Sequence, residues 1–184
     1  MNARRRQLLD IAADLFAEHG YARVTVDEIG AAAGISGPAI YHHFDGKEAL
    51  LGEMLIGISE YLLEGGRRVV GERDDSDTVE RLIAFHVEFA VDRRSLITVH
   101  FRDLLYARPD DVARVRAVQN EYVELWTDAL RDRVDVDTDR ALAAVHATFG
   151  LINSTPHSGR LPRTDMVTLL TAMASDALLA TIRS

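Results

Sequence analysis

The chain of 184 residues contains no cysteine, a single lysine and only four prolines. Without cysteine there is no disulfide, no thiolate nucleophile and no Cys-ligated zinc or iron–sulfur site. Long apolar runs are also missing. The longest mostly apolar stretch is Ala141 to Ile152, and it contains His146, whereas a membrane span needs roughly 20 residues. The basic start, Met1 to Arg6, is followed at once by Asp10 and Asp14, so no apolar signal-peptide core develops. A cytoplasmic protein with no membrane partner is expected. Catalytic spellings are absent too: there is no GxSxG, HExxH, Walker A or glycine-rich dinucleotide loop. Nothing groups a nucleophile, a base and an orienting residue, so no enzyme and no cofactor is expected. Asp135, Asp137 and Asp139 begin like a calcium loop, but Arg140 takes the glycine position and His146 the bidentate glutamate position. No metal site is expected.

Positive charge is scarce as well. The 21 basic residues, 20 of them Arg, face 29 acidic ones, for a net charge of −8. Such a balance lacks the bulk basic footprint of most nucleic-acid binders.

What the sequence does have is helical periodicity throughout. Leu8, Leu9, Ala12, Leu15, Phe16 and His19 form one stripe of a first helix, about Arg4 to His19, ended by Gly20. Thr25-Val-Asp-Glu28 spells a capping box, with Val24 and Ile29 placed as a hydrophobic staple. That short helix ends near Gly34. Ser36 can cap a third, with Pro38 in its first turn, running to about His43. Asp45-Gly-Lys-Glu48 reads as another capping box, opening a longer helix with Leu51, Met54, Leu55, Ile58 and Leu62 on one side. After the charged loop Gly71 to Thr78, further helices are expected at about Thr78–Asp92, Ser95–Tyr106, Asp110–Val134, Asp139–Thr155 and Arg163–Ile182. The fold class is therefore all-α, with about nine helices.

The second and third helices, joined by AAAGIS, have the form of a helix-turn-helix. The second helix of such a unit enters the DNA major groove with its first residues nearest the base edges. Here those are Ser36, Gly37, Pro38 and Ala39, followed by Tyr41 and His42, with Ile35 and Ile40 as apolar anchors. Gly37 and Ala39 are too small for bidentate base contacts. Readout would lean on Ser36, thymine methyls or DNA shape.

GISGPAIYHHFDGKEAL, Gly34 to Leu50, resembles the signature of TetR/AcrR-family transcription regulators. The preceding LFAEHGYARVTVDEIGAAAG resembles the first two helices of that family. The resemblance covers about residues 4–55; the remainder matches only in size and helical pattern. It implies a helix-turn-helix DNA-binding domain at 1–48 and a ligand-binding and dimerisation domain at 49–184. It implies that Tyr41 and Lys47 contact the DNA backbone, that Thr25 contacts a phosphate, and that His42 faces the DNA. Arg4, Arg5 and Arg6 would add a basic face to these. Residues 1–50 nevertheless carry only Arg4, Arg5, Arg6, Arg23 and Lys47 against seven acids.

The resemblance further implies a homodimer on a pseudo-palindromic, double-stranded DNA operator. It would most simply be a repressor, released by a small apolar or amphipathic effector. Candidate effector residues are Phe85, His86, Phe89, His100, Phe101, Tyr122, Trp126, His146, Phe149 and Asn153. Each aromatic taken singly reads more readily as ordinary core, whereas a core-facing histidine needs a polar partner. The family's dimer bundle would draw on Ala143, Ala147 and Gly150 of the eighth helix, and on Met173, Ala177 and Ala180 of the ninth. The alternative is a helical small-molecule-binding protein whose DNA module is degenerate.

Overall fold

The computed structural model describes residues 3–72 and 77–179, and among them there is no strand. Nine helices follow in order: α1 Ala3–His19, α2 Val26–Ala32, α3 Gly37–Ile40, α4 Lys47–Gly71, α5 Thr78–Asp92, α6 Arg94–Asp103, α7 Pro109–Arg133, α8 Thr138–Ile152 and α9 Arg163–Leu179. A 3-10 turn, Leu104–Tyr106, extends α6, and a single helical turn, Thr155–Ser158, stands between α8 and α9. None of these helices is long and apolar enough to cross a membrane.

The chain divides into two compact units: residues up to 59 with 95–116, and residues 60–94 with 117 onward. Helices α4 and α7 contribute to both. The first unit thus takes in more than the helix-turn-helix.

Its core is the stripe legible in α1. Leu8, Leu9, Ala12 and Phe16 are buried against Ile29, Ile40, Phe44, Leu50, Leu51 and Leu55, with Val99 and Val115 from α6 and α7. Each large apolar side chain removed from water contributes about 1.5–3 kcal/mol. His19, expected in that stripe, is exposed instead; Ala13 is buried on the inner face. The Thr25–Glu28 capping box forms in full, closing the start of α2 in both directions. Gly34 turns the chain at φ +69°, a left-handed conformation that glycine adopts without steric penalty. Ser36 precedes α3 without a side-chain capping bond, and α3 closes early, at Ile40. The second expected capping box is displaced. The first helical bond of α4 runs from Leu50 N–H to the carbonyl of Gly46, so Gly46, not Asp45, stands at its threshold.

In the second unit α9 packs on α5 and α8. Leu82, Ile83, Val87 and Ala90 of α5 bury with Val145 and Ile152 of α8 and Met166, Leu170, Ala174 and Leu178 of α9. Helix α8 stops short of the expected Thr155. A helix continuing through Pro156 would lose its N–H bond to Ile152 and clash with that carbonyl. The chain restarts as the short turn, tied down where the Thr155 hydroxyl donates to the Ala90 carbonyl at 2.8 Å. Arg163 clamps Asp92 with two bonds of 2.7 Å.

Candidate nucleic-acid interface and aromatic cluster

On the helix-turn-helix, Ser36, Pro38, Tyr41 and His42 are exposed, Tyr41 to 59%, and Ala39 is half-buried. These side chains are available to a partner. Gly37 is not among them. It is buried, and an added Cβ would overlap the Asp27 carboxylate. Its smallness serves the close approach of α3 to α2 and not a base contact.

The cations expected to meet phosphate are engaged within the fold. Lys47 donates to the carbonyls of Tyr21 at 2.9 Å and Val24 at 2.8 Å, with its ammonium 4.3 Å from the Tyr21 ring centre. Arg4 donates to the Ala33 carbonyl at 2.8 Å. Arg5 donates to the His43 carbonyl and pairs with Glu53, and its guanidinium lies 4.3 Å from the Phe44 ring centre. The Glu53 bond holds Arg5 more firmly protonated than usual. A fourth cation joins them from α6: Arg102 donates to the carbonyls of Phe16 and Ala17 and pairs with Asp103, itself 2% exposed.

Two of these contacts, those of Arg102 and Arg4, share one physical logic. The last carbonyls of a helix have no intrahelical donor and carry the negative end of its dipole, so cations there are favoured. Arg102 serves the end of α1, Lys47 the turn after it, Arg4 the end of α2, and Arg5 the turn after α3. Thr25 is engaged likewise. Its hydroxyl accepts from the Glu28 N–H and donates to the Glu28 carboxylate, and its own N–H bonds that carboxylate, which holds the Glu28 carboxyl below the usual range. Sequence reasoning missed Arg102, whose carbonyl partners lie more than 80 residues away, and Asp103, the neighbour that pairs with it. Arg6 and Arg23 remain exposed.

In the second unit, five expected effector residues converge. The His86 ring lies 4.7 Å from Phe149, 5.7 Å from Tyr122 and 6.0 Å from Trp126, centre to centre. Tyr122 and Phe149 stack at 5.4 Å. His86 Nε2 bonds Asn153 Oδ1 at 3.2 Å, and the Tyr122 hydroxyl reaches His86 Nδ1 at 3.4 Å. With the amide oxygen facing the ring, Nε2 carries the proton and Nδ1 accepts. Burial pushes the His86 pKa down to about 4 against the weaker pull of Asn153, so the imidazole is neutral. Burial also raises the Tyr122 phenol. Phe85 and Phe89 join at the rim through Tyr61, 5.7 Å from each.

Three of the expected effector residues are elsewhere. His100 and Phe101 belong to α6 in the first unit, and Phe101 is 67% exposed. His146 is exposed on α8, not core-facing, because Val145 and Thr148 take the inner positions of that turn. It shares its outward face with Ala143, Ala147 and Gly150. On α9 Met173 is exposed and Ala177 half-buried; Ala180 lies outside the described residues. Two contributors went unnoticed in the sequence, Tyr61 and the Gly65-Gly66 pair of α4. A Cβ on Gly65 would overlap the Phe85 ring, and one on Gly66 would press on Tyr122. A glycine pair inside a helix was the available signal.

Residues 8–54 match the family model described as bacterial regulatory proteins, tetR family, and residues 72–178 match the tetracyclin repressor-like C-terminal domain. The HTH-type transcriptional repressor KstR2 of Rhodococcus jostii is 32% identical over 156 residues, covering 84% of this chain and 76% of its own length. Among solved structures, the ketosteroid transcriptional regulator KstR2 of Mycobacterium tuberculosis superposes with a TM-score of 0.80 at 22% identity, over 100% of this chain and 97% of that one. AibR in complex with isovaleryl coenzyme A and operator DNA superposes with a TM-score of 0.76 at 18% identity, over 92% and 97%. The chain belongs to the tetR family of bacterial regulatory proteins. Its helix-turn-helix is the DNA-binding element of a transcriptional regulator, and its likeness to KstR2 extends through the helical body.

Proposed function

We propose that this chain is a ligand-responsive repressor that binds a pseudo-palindromic operator as a homodimer and is released by a small apolar or amphipathic effector. The observation that carries the reading is the pairing of two features. An exposed recognition surface, Ser36, Pro38, Tyr41 and His42, lies in one unit, and a buried, charge-free aromatic cluster around His86 lies in the other. Ser36, Ala39, Tyr41 and His42 meet the DNA. Arg4, Arg5 and Lys47 act chiefly by fixing the helices that present them, and Thr25 does the same through Glu28. Exposed Arg6 and Arg23 and the N-terminus of α4 serve phosphates.

KstR2, described as a ketosteroid regulator, and AibR, solved with isovaleryl coenzyme A, support an acyl thioester or apolar metabolite as the effector class. Release is linkage: the effector shifts the DNA-competent state only by its differential affinity for the two states. The dimer forms through the outward faces of α8 and α9. Leu142, Ala143, Ala147 and Gly150, with Leu169 and Met173, leave an apolar surface exposed on two helices that pack together, and such surfaces mark interaction sites. We assign residues 1–48 to DNA reading, and residues 49–184 to effector binding and dimerisation. No catalytic role is proposed, and the location is the cytoplasm.

A second reading, a helical binding protein with a degenerate DNA module, is favoured by the withdrawal of Arg4, Arg5 and Lys47 into the fold. Selection from random duplex DNA separates the two. The repressor reading expects an enriched pseudo-palindrome with half-site centres about 34–36 Å apart or a multiple of that, bound by the dimer. Absence of any enriched sequence at low salt sinks it.

A further inference from the structure

The indole N–H of Trp126 is the one buried side-chain donor of the aromatic cluster that the structure leaves without an acceptor. Trp126 is 2% exposed, and its indole N–H makes no hydrogen bond. It lies near enough to the Tyr122 hydroxyl to oppose, weakly, the rise that burial imposes on that phenol, yet the geometry completes no bond. The Tyr122 proton is directed at His86 Nδ1, and the His86 Nε2 proton at Asn153 Oδ1. Turning the Asn153 amide over would move protons along this chain and leave the indole no better served. A buried donor without an acceptor is unfavourable, and a site built to pair a ligand group discriminates strongly against ligands lacking it.

Charge narrows the acceptor. His86, Tyr122, Trp126, Phe149, Asn153 and Phe89 include no ionised side chain. A carboxylate or phosphate buried there would have no counter-charge. An alcohol would bring a proton that needs an acceptor of its own. A carbonyl oxygen accepts and brings none. The way in is also marked. Tyr61 is 49% exposed and stacks towards Phe85 and Phe89, and Phe85 and Phe149 are only half-buried. Rings run without interruption from the surface to Trp126.

We propose that the effector carries an uncharged carbonyl oxygen (ketone, ester or thioester) on an apolar body, and that this oxygen accepts the Trp126 indole N–H. The proposal rests on the reading of the aromatic cluster as the effector site.

Trp126 is the chain's single tryptophan, so its indole gives one cross-peak in a proton–nitrogen spectrum of the full-length protein. Three probes suffice: 2-decalone, decalin and decahydronaphthalene-2-carboxylate. The ketone is expected to move the indole proton downfield and to bind about 3- to 10-fold more tightly than decalin, the gain of one neutral hydrogen bond. Trp126→Phe is expected to erase that preference, so that ketone and decalin bind the variant equally, whatever change in affinity the two share. Should the variant fail to fold, the wild-type indole shift decides alone. The proposal is overturned if ketone and hydrocarbon move the indole equally, if the carboxylate binds best, or if an ordered water already holds the indole proton and the ketone does not displace it. If no probe perturbs Trp126, Tyr122 or Phe149 at its solubility limit, the effector-site reading fails first and takes this proposal with it. Binding without ketone preference leaves that reading standing and sinks only the carbonyl.

Discussion

Replacing Lys47 by methionine keeps an aliphatic stem against Tyr21 and removes only the ammonium. Two charged-donor bonds are lost, to Tyr21 O at 2.9 Å and Val24 O at 2.8 Å. In general such bonds contribute about 1.5–3 kcal/mol each, with a further ~0.5–1 kcal/mol for a cation over an aromatic face. Lys47 is only half-buried, so water recovers part of this, and a net loss of about 2–3 kcal/mol follows. For a chain of this size that lowers the unfolding midpoint by about 4–10 °C, measured by calorimetry at fixed protomer concentration. The second measurement is duplex binding by fluorescence anisotropy between about 50 and 200 mM salt. A cation spent mainly on backbone carbonyls leaves the slope of log affinity against log salt nearly unchanged. A phosphate ligand removes about 0.9 from it. Unchanged stability together with a slope reduced by about 0.9 would falsify the clamp reasoning and make Lys47 a direct DNA contact.

His86 should make stability depend on acidity. Its folded pKa of about 4 lies below the ordinary ~6.5, so the unfolded chain takes up a proton between those values and the folded one does not. Stability is complete above about pH 6.5 and falls by about 3 kcal/mol as pH drops to about 4. Denaturant titrations of wild type against His86→Phe should show that difference, and parallel curves would refute it. Gly37→Ala should drive Cβ into Asp27, costing about 1–3 kcal/mol as overpacking does and weakening operator binding. Asp27→Ala should recover part of both, and an undiminished Gly37→Ala protein would rule the clash out. Asp103→Asn removes the buried acceptor charge that holds Arg102 on the end of α1. A loss of about 2 kcal/mol is expected, read by urea midpoint. Met173→Glu should shift the light-scattering mass from dimer towards monomer without changing the helical signal, and an unaltered dimer mass removes α9 from the interface.

How far the sequence reached is best judged element by element. The capping box at Thr25–Glu28 was legible because both halves of the signal lie within one turn, and the structure forms both bonds. The α1 stripe was legible for the same local reason, apart from His19, which is exposed at the last residue of the helix. The Asp45 box failed because Gly46, at φ +111°, turns the chain more sharply than the S/T-x-x-E spelling assumes. The contacts that Arg4, Arg5 and Lys47 make within the fold were opaque for a physical reason. A phosphate and a helix C-terminus attract the same cation, and spacing along the chain does not distinguish an external anion from a carbonyl 23 to 38 residues away. His86 and His146 make the same point in the body. Both sit on apolar helices, yet one turns inward to Asn153 and the other outward, because α5 buries adjacent pairs of residues, His86 with Val87 among them, whereas α8 buries a narrow stripe in which Val145 and Thr148 exclude His146. Periodicity places a residue near the edge of a stripe; only the packing of α5, α8 and α9 decides on which side of that edge its polar atoms find partners.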